Sequence, residues 1–501
     1  MQIGDLAHRQ IFGRSFPDKG CSMTTQESLR KTDAGTVSEV QALVQRARAA
    51  QARHVEMGQA AMDDAAAAAG WAIMEPTRNR QLAELSVRDT GVGNVEDKVR
   101  KNYRKTLGLL RDLQGIRTTG VISENAQTGI TEIARAVGVV AAITPSTNPA
   151  ATPVNKIINA LKCGNAVILA PSPKGLSTAR LLLDFIHAEF RKCGLSPDLV
   201  QALPSPISKA MTAELMRQAD LVVATGSAAN VRMAYTSGTP AFGVGVGNVA
   251  SMVDESADLA DAARKIAQSK TFDNATSCSS ENSLVVLDSV YDAMLRELET
   301  CGAVLLNAQE KEVLQGVMWP DGKLSGAVTG KDATTIAHIA GLDRVAKMHQ
   351  GHPAILLVEE QGFGREHPFS GEKLSPVLTV YRAKTFDQAC ATVRQIYEYM
   401  GAGHSVSLHS KNADQAMALG LHLPVARVIV NQAHCLATGG NFDNGLPFSL
   451  SMGCGTWGGN NFSENMNYRH YLNITRIARV IAPNEPSQDQ VLGDYFKKYG
   501  Q

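Results

Sequence analysis

The sequence predicts an α/β protein built on two parallel sheets, and three observations carry that expectation. From Val137 onward, short apolar runs alternate with helical stretches, the pattern of strands joined by helical crossovers. After Ser283 a second alternation of the same kind begins. Ahead of both, residues 36–115 read as helical throughout. With 501 residues the chain is too long for one core, so roughly two or three domains are expected.

In chain order, Val37, Val40, Leu43 and Val44 open a helical apolar period that the alanine-rich Ala60–Ala69 continues. Lys98–Leu113 is basic and amphipathic, and reads as a solvated helix face. Gly120-Val-Ile and Ile130-Thr-Glu-Ile form two strands of a hairpin. Strands are then expected at 138–143, 166–169, 199–203 and 221–224, with helices at 153–162, 176–192 and 207–217 between them. A parallel sheet binds its ligands at the C-terminal ends of its strands, which singles out the loops 144–149, 170–174 and 225–228. A helix over 257–270 leads to a cysteine-bearing loop. Further strands lie near 283–287, 303–306, 354–358 and 427–430. The glycine-rich 439–459 stretch crosses back over the site, and 470–481 reads as a terminal strand. The boundaries follow: 1–272 for the helices and first sheet, with the hairpin at 118–137; 273–438 for the second sheet; 439–501 for the return segment and tail.

The 49 basic and 48 acidic residues nearly cancel, which argues against a nucleic-acid or membrane-surface partner. No apolar run approaches the roughly 20 residues that span a bilayer. Residues 1–35 are polar, lack the apolar block of a secretory signal, and contain Met23 as an alternative start. The eight cysteines are scattered with no C-x-x-C pair, which suits a reducing cytoplasm. His349 and His352 have ligand-like spacing, but no cysteine or carboxylate cluster joins them, so solvated loop histidines and no metal are expected.

One thiol stands out. Cys278 lies in Thr271-Phe-Asp-Asn-Ala-Thr-Ser-Cys278-Ser-Ser-Glu281-Asn-Ser, a loop between ordered elements. Such a loop can hold a thiol still and open to substrate, and polar surroundings would lower its pKa. Asn148, in Thr144-Pro145-Ser146-Thr-Asn148-Pro149, sits in a proline-bracketed turn from which an amide can donate to a developing alkoxide. Ala224-Thr-Gly226-Ser227 is a strand, a glycine turn and a helix start, whose free N–H groups favour phosphate. Leu169-Ala170-Pro-Ser172-Pro-Lys174 and Gly371-Glu372-Lys-Leu-Ser-Pro376 complete the set.

Together these stretches resemble the aldehyde dehydrogenases, specifically the CoA-acylating branch, over about residues 70–480. The resemblance implies an aldehyde dehydrogenase-like fold: a Rossmann-type cofactor domain, an α/β catalytic domain and a small oligomerisation hairpin and tail. It makes Cys278 the nucleophile and Asn148, with the Cys278 N–H, the oxyanion donor. Thr144, Pro145, Ser146, Ala170, Ser172, Lys174, Gly226, Ser227 and Gly247 then contact NAD(P), and Glu372 its nicotinamide ribose. At the strand end where hydrolytic relatives place a lysine and an acid, this chain has Ala170 and Pro173. That absence leans to NADP, with Lys174 or Arg180 able to pair with a 2′-phosphate or to be plain surface charges. His404 is either a base for the CoA thiol or structural, and Cys454 a packed thiol. A departure is informative: Val244 stands where hydrolytic relatives carry the water-activating glutamate. Without that base, acyl transfer to CoA is favoured over hydrolysis. The expected substrate is a small polar or anionic aldehyde, sulfoacetaldehyde ahead of succinate semialdehyde or acetaldehyde, since Ser277, Ser279 and Ser280 flank the nucleophile. A homodimer or homotetramer is implied, with the hairpin and the tail at 465–483 exchanged between subunits.

Overall fold

The computed structural model describes residues 33–501, and the α/β architecture is present. The tail assigned to residues 1–35, with Met23 and Cys21, lies almost wholly outside the described residues. Four helices come first: α1 (Ala34–Glu56), α2 (Gly58–Met74), α3 (Pro76–Thr90) and α4 (Val95–Leu113). Side chains set their ends. Asp33 caps α1, the Glu75 carboxylate caps α3 ahead of Pro76, and Asn94 caps α4. A left-handed glycine, Gly91, stops α3.

The hairpin follows as β1 (Gly120–Asn125) and β2 (Ile130–Ala136), paired antiparallel. The first parallel sheet is laid down by β3 (Val139–Thr144), α5 (Ala151–Lys162), β4 (Ala166–Pro171), α6 (Leu176–Lys192), β5 (Val200–Ala202), α7 (Lys209–Gln218), β6 (Leu221–Thr225), α8 (Ala228–Tyr235) and β7 (Ala241–Val244). Strands β3 and β4 are buried along their whole length, as a sheet covered on both faces requires. The spatial order is β5-β4-β3-β6-β7. The direction of winding therefore reverses between β3 and β6, and a crevice opens beyond the C-terminal ends of those two strands. Buried Lys156 bridges that point, donating to Ile143 O at 2.7 Å and Val223 O at 2.9 Å.

The second sheet has seven parallel strands: β8 (Val249–Val253), β9 (Glu281–Leu287), β10 (Ala303–Leu305), β11 (Ile355–Glu359), β12 (Val377–Ala383), β13 (Val406–His409) and β14 (Val428–Val430). Their order is β10-β11-β12-β9-β8-β13-β14. Between β8 and β9 runs α9 (Leu259–Thr271), which packs on this sheet through Ala262, Ala263 and Ile266. The second sheet thus takes in β8 and α9, ahead of the boundary expected after residue 272. Four strands were not read from the sequence: β7, β8, β12 and β13. Each is short or flanked by glycine-rich loops that mask its period.

The return segment joins the first core, where Phe448, Phe462, Met466 and Tyr471 are buried. Phe448 lies on Gly108 of α4, where a Cβ would fall 2.3 Å from the ring. A final strand, β15 (Leu472–Ala478), pairs antiparallel with β2 and completes a three-stranded sheet, β1-β2-β15. Hairpin and tail strand, which lacked a home in either parallel sheet, find it in each other within one chain. An exposed helix, Gln488–Tyr499, ends the chain. Among the described residues no helix is long and apolar enough to cross a membrane.

The basic stretch of α4 departs from expectation. Lys98, Lys101 and Lys105 are 3%, 5% and 7% exposed, so this helix turns its lysines inward. Lys105 donates to the carbonyls of Gly439 and Gly440, each at 2.9 Å. Helix α4 therefore underlies the return segment as well as the crevice. Phe448→Ala, which empties the contact with Gly108, should lower stability by about 3–5 kcal/mol in guanidinium unfolding. An unchanged midpoint would show that the return segment is not anchored there.

Candidate active site

The site lies where the C-terminal edge of the first sheet faces the N-terminal edge of the second. The loops after β3 and β6 and the end of β7 meet those before β8, β9 and β12. They enclose a cavity of about 290 Å³ lined by Pro145, Ser146, Asn148, Gly226, Ser227, Val244, Cys278 and Glu372, among others.

The nucleophile loop is shaped by backbone strain. Asp273, Asn274 and Ala275 have φ of 50°, 53° and 58°, a left-handed run that costs of order 1 kcal/mol per residue. Hydrogen bonds hold it in place. The Asp273 carboxylate accepts from Lys101 at 2.5 Å, Lys98 at 3.2 Å, Thr276 Oγ1 at 2.7 Å and the Asn94 N–H at 3.0 Å. Its own N–H donates to Asp97 Oδ2 at 2.7 Å. Burial alone would raise the Asp273 pKa, but the two ammonium groups carry it below the usual carboxylate range. Burial also lowers Lys98 to about 8, opposed by Asp273.

Asn148 lies in the turn before Ala151, the first residue of α5, its carbonyl accepting from the Thr152 N–H at 3.3 Å. Its Oδ1 accepts from Lys101 Nζ at 2.8 Å, while its Nδ2 has no protein partner among the described residues. The amide is thus left with its donor free at the cavity. The Cys278 N–H likewise makes no backbone hydrogen bond among the described residues.

The thiol itself departs from expectation. Burial pushes Cys278 up to about 12, the Glu372 carboxylate and Cys454 add to the rise, and Arg427 opposes it. The hydroxyls around it do not offset its burial. Ser277 lines the cavity with its Oγ 2.8 Å from Ser279 Oγ, but Ser279 and Ser280 are each 1% exposed and do not line it. Glu372 is itself raised to about 8 by burial, against the Gly247 N–H, Lys270 and Lys373.

Gly247 does not line the cavity but supports it. A Cβ there would lie 2.0 Å from the Cys278 carbonyl oxygen, so a larger residue would displace Cys278. Ser227 caps α8, accepting from the Asn230 N–H at 3.3 Å, and Gly226 has φ of 153°. The free N–H groups at this helix start border the same cavity, a fit for a dinucleotide's phosphates. Thr144 and Ala170, each 3% exposed, belong to strand ends beneath the crevice. Ser172 supports the loop, its N–H donating to Thr144 O at 3.1 Å, and Lys174 and Arg180 are exposed at its rim.

His404 is not brought to the cavity. It is fully buried, with Nδ1 2.7 Å from Ser405 Oγ and Nε2 unpartnered. Burial, Arg427 and His434 hold its pKa well below the ordinary value, which favours the structural reading over a base for CoA. Cys454 is packed, 2% exposed. The cavity shares Gly245 and Val246 with a hollow of about 510 Å³ and Glu372 with one of about 970 Å³. Sequence reasoning missed Lys101 and Asp273. The spacing of Lys98, Lys101 and Lys105 at i, i+3 and i+7 was the available signal.

Comparison with known proteins identifies the family. Residues 19–315 match the model of the aldehyde dehydrogenase family. The chain is 66% identical, over the full length of both proteins, to a sulfoacetaldehyde dehydrogenase (acylating) of Cupriavidus necator. It is 41% identical to one of Bilophila wadsworthia, over 93% of this chain and 100% of that one. The crystal structure of an acetylating aldehyde dehydrogenase from Geobacillus thermoglucosidasius superposes with a TM-score of 0.86 at 33% identity, covering 91% of this chain and 100% of the other. The chain belongs to the aldehyde dehydrogenase family. Within it, the chain falls with the acylating enzymes, oxidoreductases that work with NAD(P) and CoA.

The raised thiol pKa has a measurable consequence. A group whose pKa is raised carries less thiolate at every pH below it, so iodoacetamide should inactivate the cofactor-free enzyme slowly at pH 7.5. The rate should still be climbing at pH 10. A plateau below pH 8 would contradict the burial argument.

Proposed function

We propose that the chain oxidises a small anionic aldehyde, sulfoacetaldehyde, to its CoA thioester with reduction of NAD(P), through a thioester on Cys278. The observation that carries the chemistry is one cavity holding a cysteine, a free amide donor, and Val244 in place of a second carboxylate. The full-length 66% identity to the Cupriavidus necator enzyme supports the substrate. The cavity lining has no basic side chain. A sulfonate would therefore be held by hydroxyl and backbone donors such as Thr147, Ser146 and Ser277.

Cys278 attacks the aldehyde carbon, and the oxygen gathers charge facing Asn148 Nδ2 and the Cys278 N–H. Such donors act where charge develops, typically worth roughly 3–4 kcal/mol each. A bound nicotinamide would supply a hydride acceptor and a positive charge that favours the thiolate. Gly226 and Ser227 would hold the pyrophosphate, Pro145 and Ser146 would border the nicotinamide end, and Glu372 would meet its ribose. The acyl group on Cys278 then leaves to the CoA thiol. Glu372 is the sole carboxylate of the lining, and contact with the nicotinamide ribose would leave it engaged rather than free to activate water. We read NADP as preferred, because the rim after β4 carries Lys174 and Arg180, with the acid beside them, Asp89, engaged by the hydroxyls of Ser177 and Thr178. The unpaired cysteines support a cytoplasmic setting.

The test is a panel of aldehydes with CoA and either cofactor, following reduced cofactor by absorbance. Sulfoacetaldehyde should be favoured and CoA required. Lys174→Ala should raise the KM for NADP about tenfold and leave that for NAD unchanged, and Cys278→Ala should bind cofactor without turnover. Equal rates with butyraldehyde would end the anionic-substrate reading, CoA-independent acid the acyl-transfer reading, and turnover by Cys278→Ala the nucleophile.

We also propose a homo-oligomer. Strand β1 leaves one edge unpaired, and the terminal helix exposes Val491, Leu492, Tyr495 and Tyr499. Light scattering should give a dimer or tetramer mass, and a monomer mass would remove this reading.

A further inference from the structure

We propose that Lys101 is a positioning residue for the reaction: it fixes the Asn148 amide so that only its NH₂ group faces the aldehyde oxygen. This rests on the reading of Asn148 as the oxyanion donor.

A side-chain amide can turn over, exchanging its oxygen and nitrogen at little cost unless a neighbour distinguishes them. Inverted, Asn148 would present a carbonyl oxygen to the developing alkoxide and repel it. An ammonium group only donates, so Lys101 Nζ at 2.8 Å from Oδ1 admits one orientation. That orientation leaves Nδ2 free on the cavity. A cation on the amide oxygen also draws charge from the nitrogen and sharpens its N–H groups as donors.

Lys101 is itself held. Its Nζ donates to Asp273 Oδ2 at 2.5 Å and stands 5.4 Å from the centre of the Phe272 ring, and the residue is 5% exposed. Lys98, one turn earlier, donates to Thr147 O at 3.0 Å and to Asp273 Oδ2 at 3.2 Å. The backbone beside Asn148 and its side chain are thus tied to the same carboxylate. Through Thr276, that carboxylate is also tied to the loop that carries Cys278. Donor and nucleophile come from different sheets, and the Lys101–Asp273 pair is the polar link that sets one against the other.

The experiment is a double-mutant cycle in the full-length enzyme, reading the pre-steady-state burst of reduced cofactor and the KM values. Asn148→Ala should lose about 10²–10³ in the burst rate. Lys101→Met should lose about 10–10² with KM for aldehyde and cofactor within about twofold. In the double variant Lys101→Met should add less than about threefold, because the amide it orients is gone. Lys101→Arg, which keeps a charged donor, should recover part of the rate. Losses that multiply, or a Lys101→Met enzyme with the parent burst rate, would overturn the proposal. A fully active Asn148→Ala enzyme would instead remove the oxyanion reading beneath it. Lys101→Leu, which also removes the donor, takes the same place in the cycle if Lys101→Met does not fold, as judged by circular dichroism.

Discussion

A single buried carboxylate, Asp273, holds the working parts of this protein together. It takes the ammonium groups of Lys98 and Lys101 from α4, the hydroxyl of Thr276 from the nucleophile loop, and an N–H from the start of α4. Burying three charges is costly, and such clusters rarely add net stability over apolar packing. What they do well is specify one arrangement. Here the arrangement includes three consecutive residues in the left-handed region, a shape the chain would not adopt unaided.

The crevice follows from sheet topology. Winding reverses between β3 and β6, so the first sheet offers Asn148 and the Gly226–Ser227 helix start from its C-terminal edge. The second sheet supplies Gly247, Cys278 and Glu372 from loops at the N-terminal ends of its strands. A reactive centre between two sheets needs a link across the gap, and α4 provides it from outside both. The same helix holds the return segment through Lys105 and Gly108, so the packing of the first core and the geometry of the site share one element.

Most of the fold was legible because parallel strands buried on both faces leave continuous apolar runs, as in β3, β4 and β6. The proposed site residues Asn148, Cys278, Gly226, Ser227 and Glu372 stood out as motifs in loops, and they line one cavity. Strands such as β8 and β12 were not, lying beside glycine-rich loops that carry no period. The lysines of α4 were misread for a physical reason: a basic helical face looks solvated until a carboxylate from far along the chain is seen to neutralise it. The pKa of Cys278 was misread similarly, since burial of the thiol outweighs the polar residues beside it in sequence.

By itself, the sequence determined the α/β class, the residue types of the chemistry, and the lack of a glutamate at Val244. These are local properties: periodicity, turn composition, and the identity of one side chain. Only the tertiary structure decided that His404 lies away from the cavity, that Gly247 braces Cys278, and that Lys101 holds the Asn148 amide. Those are distances between segments far apart in the chain, which no local pattern encodes.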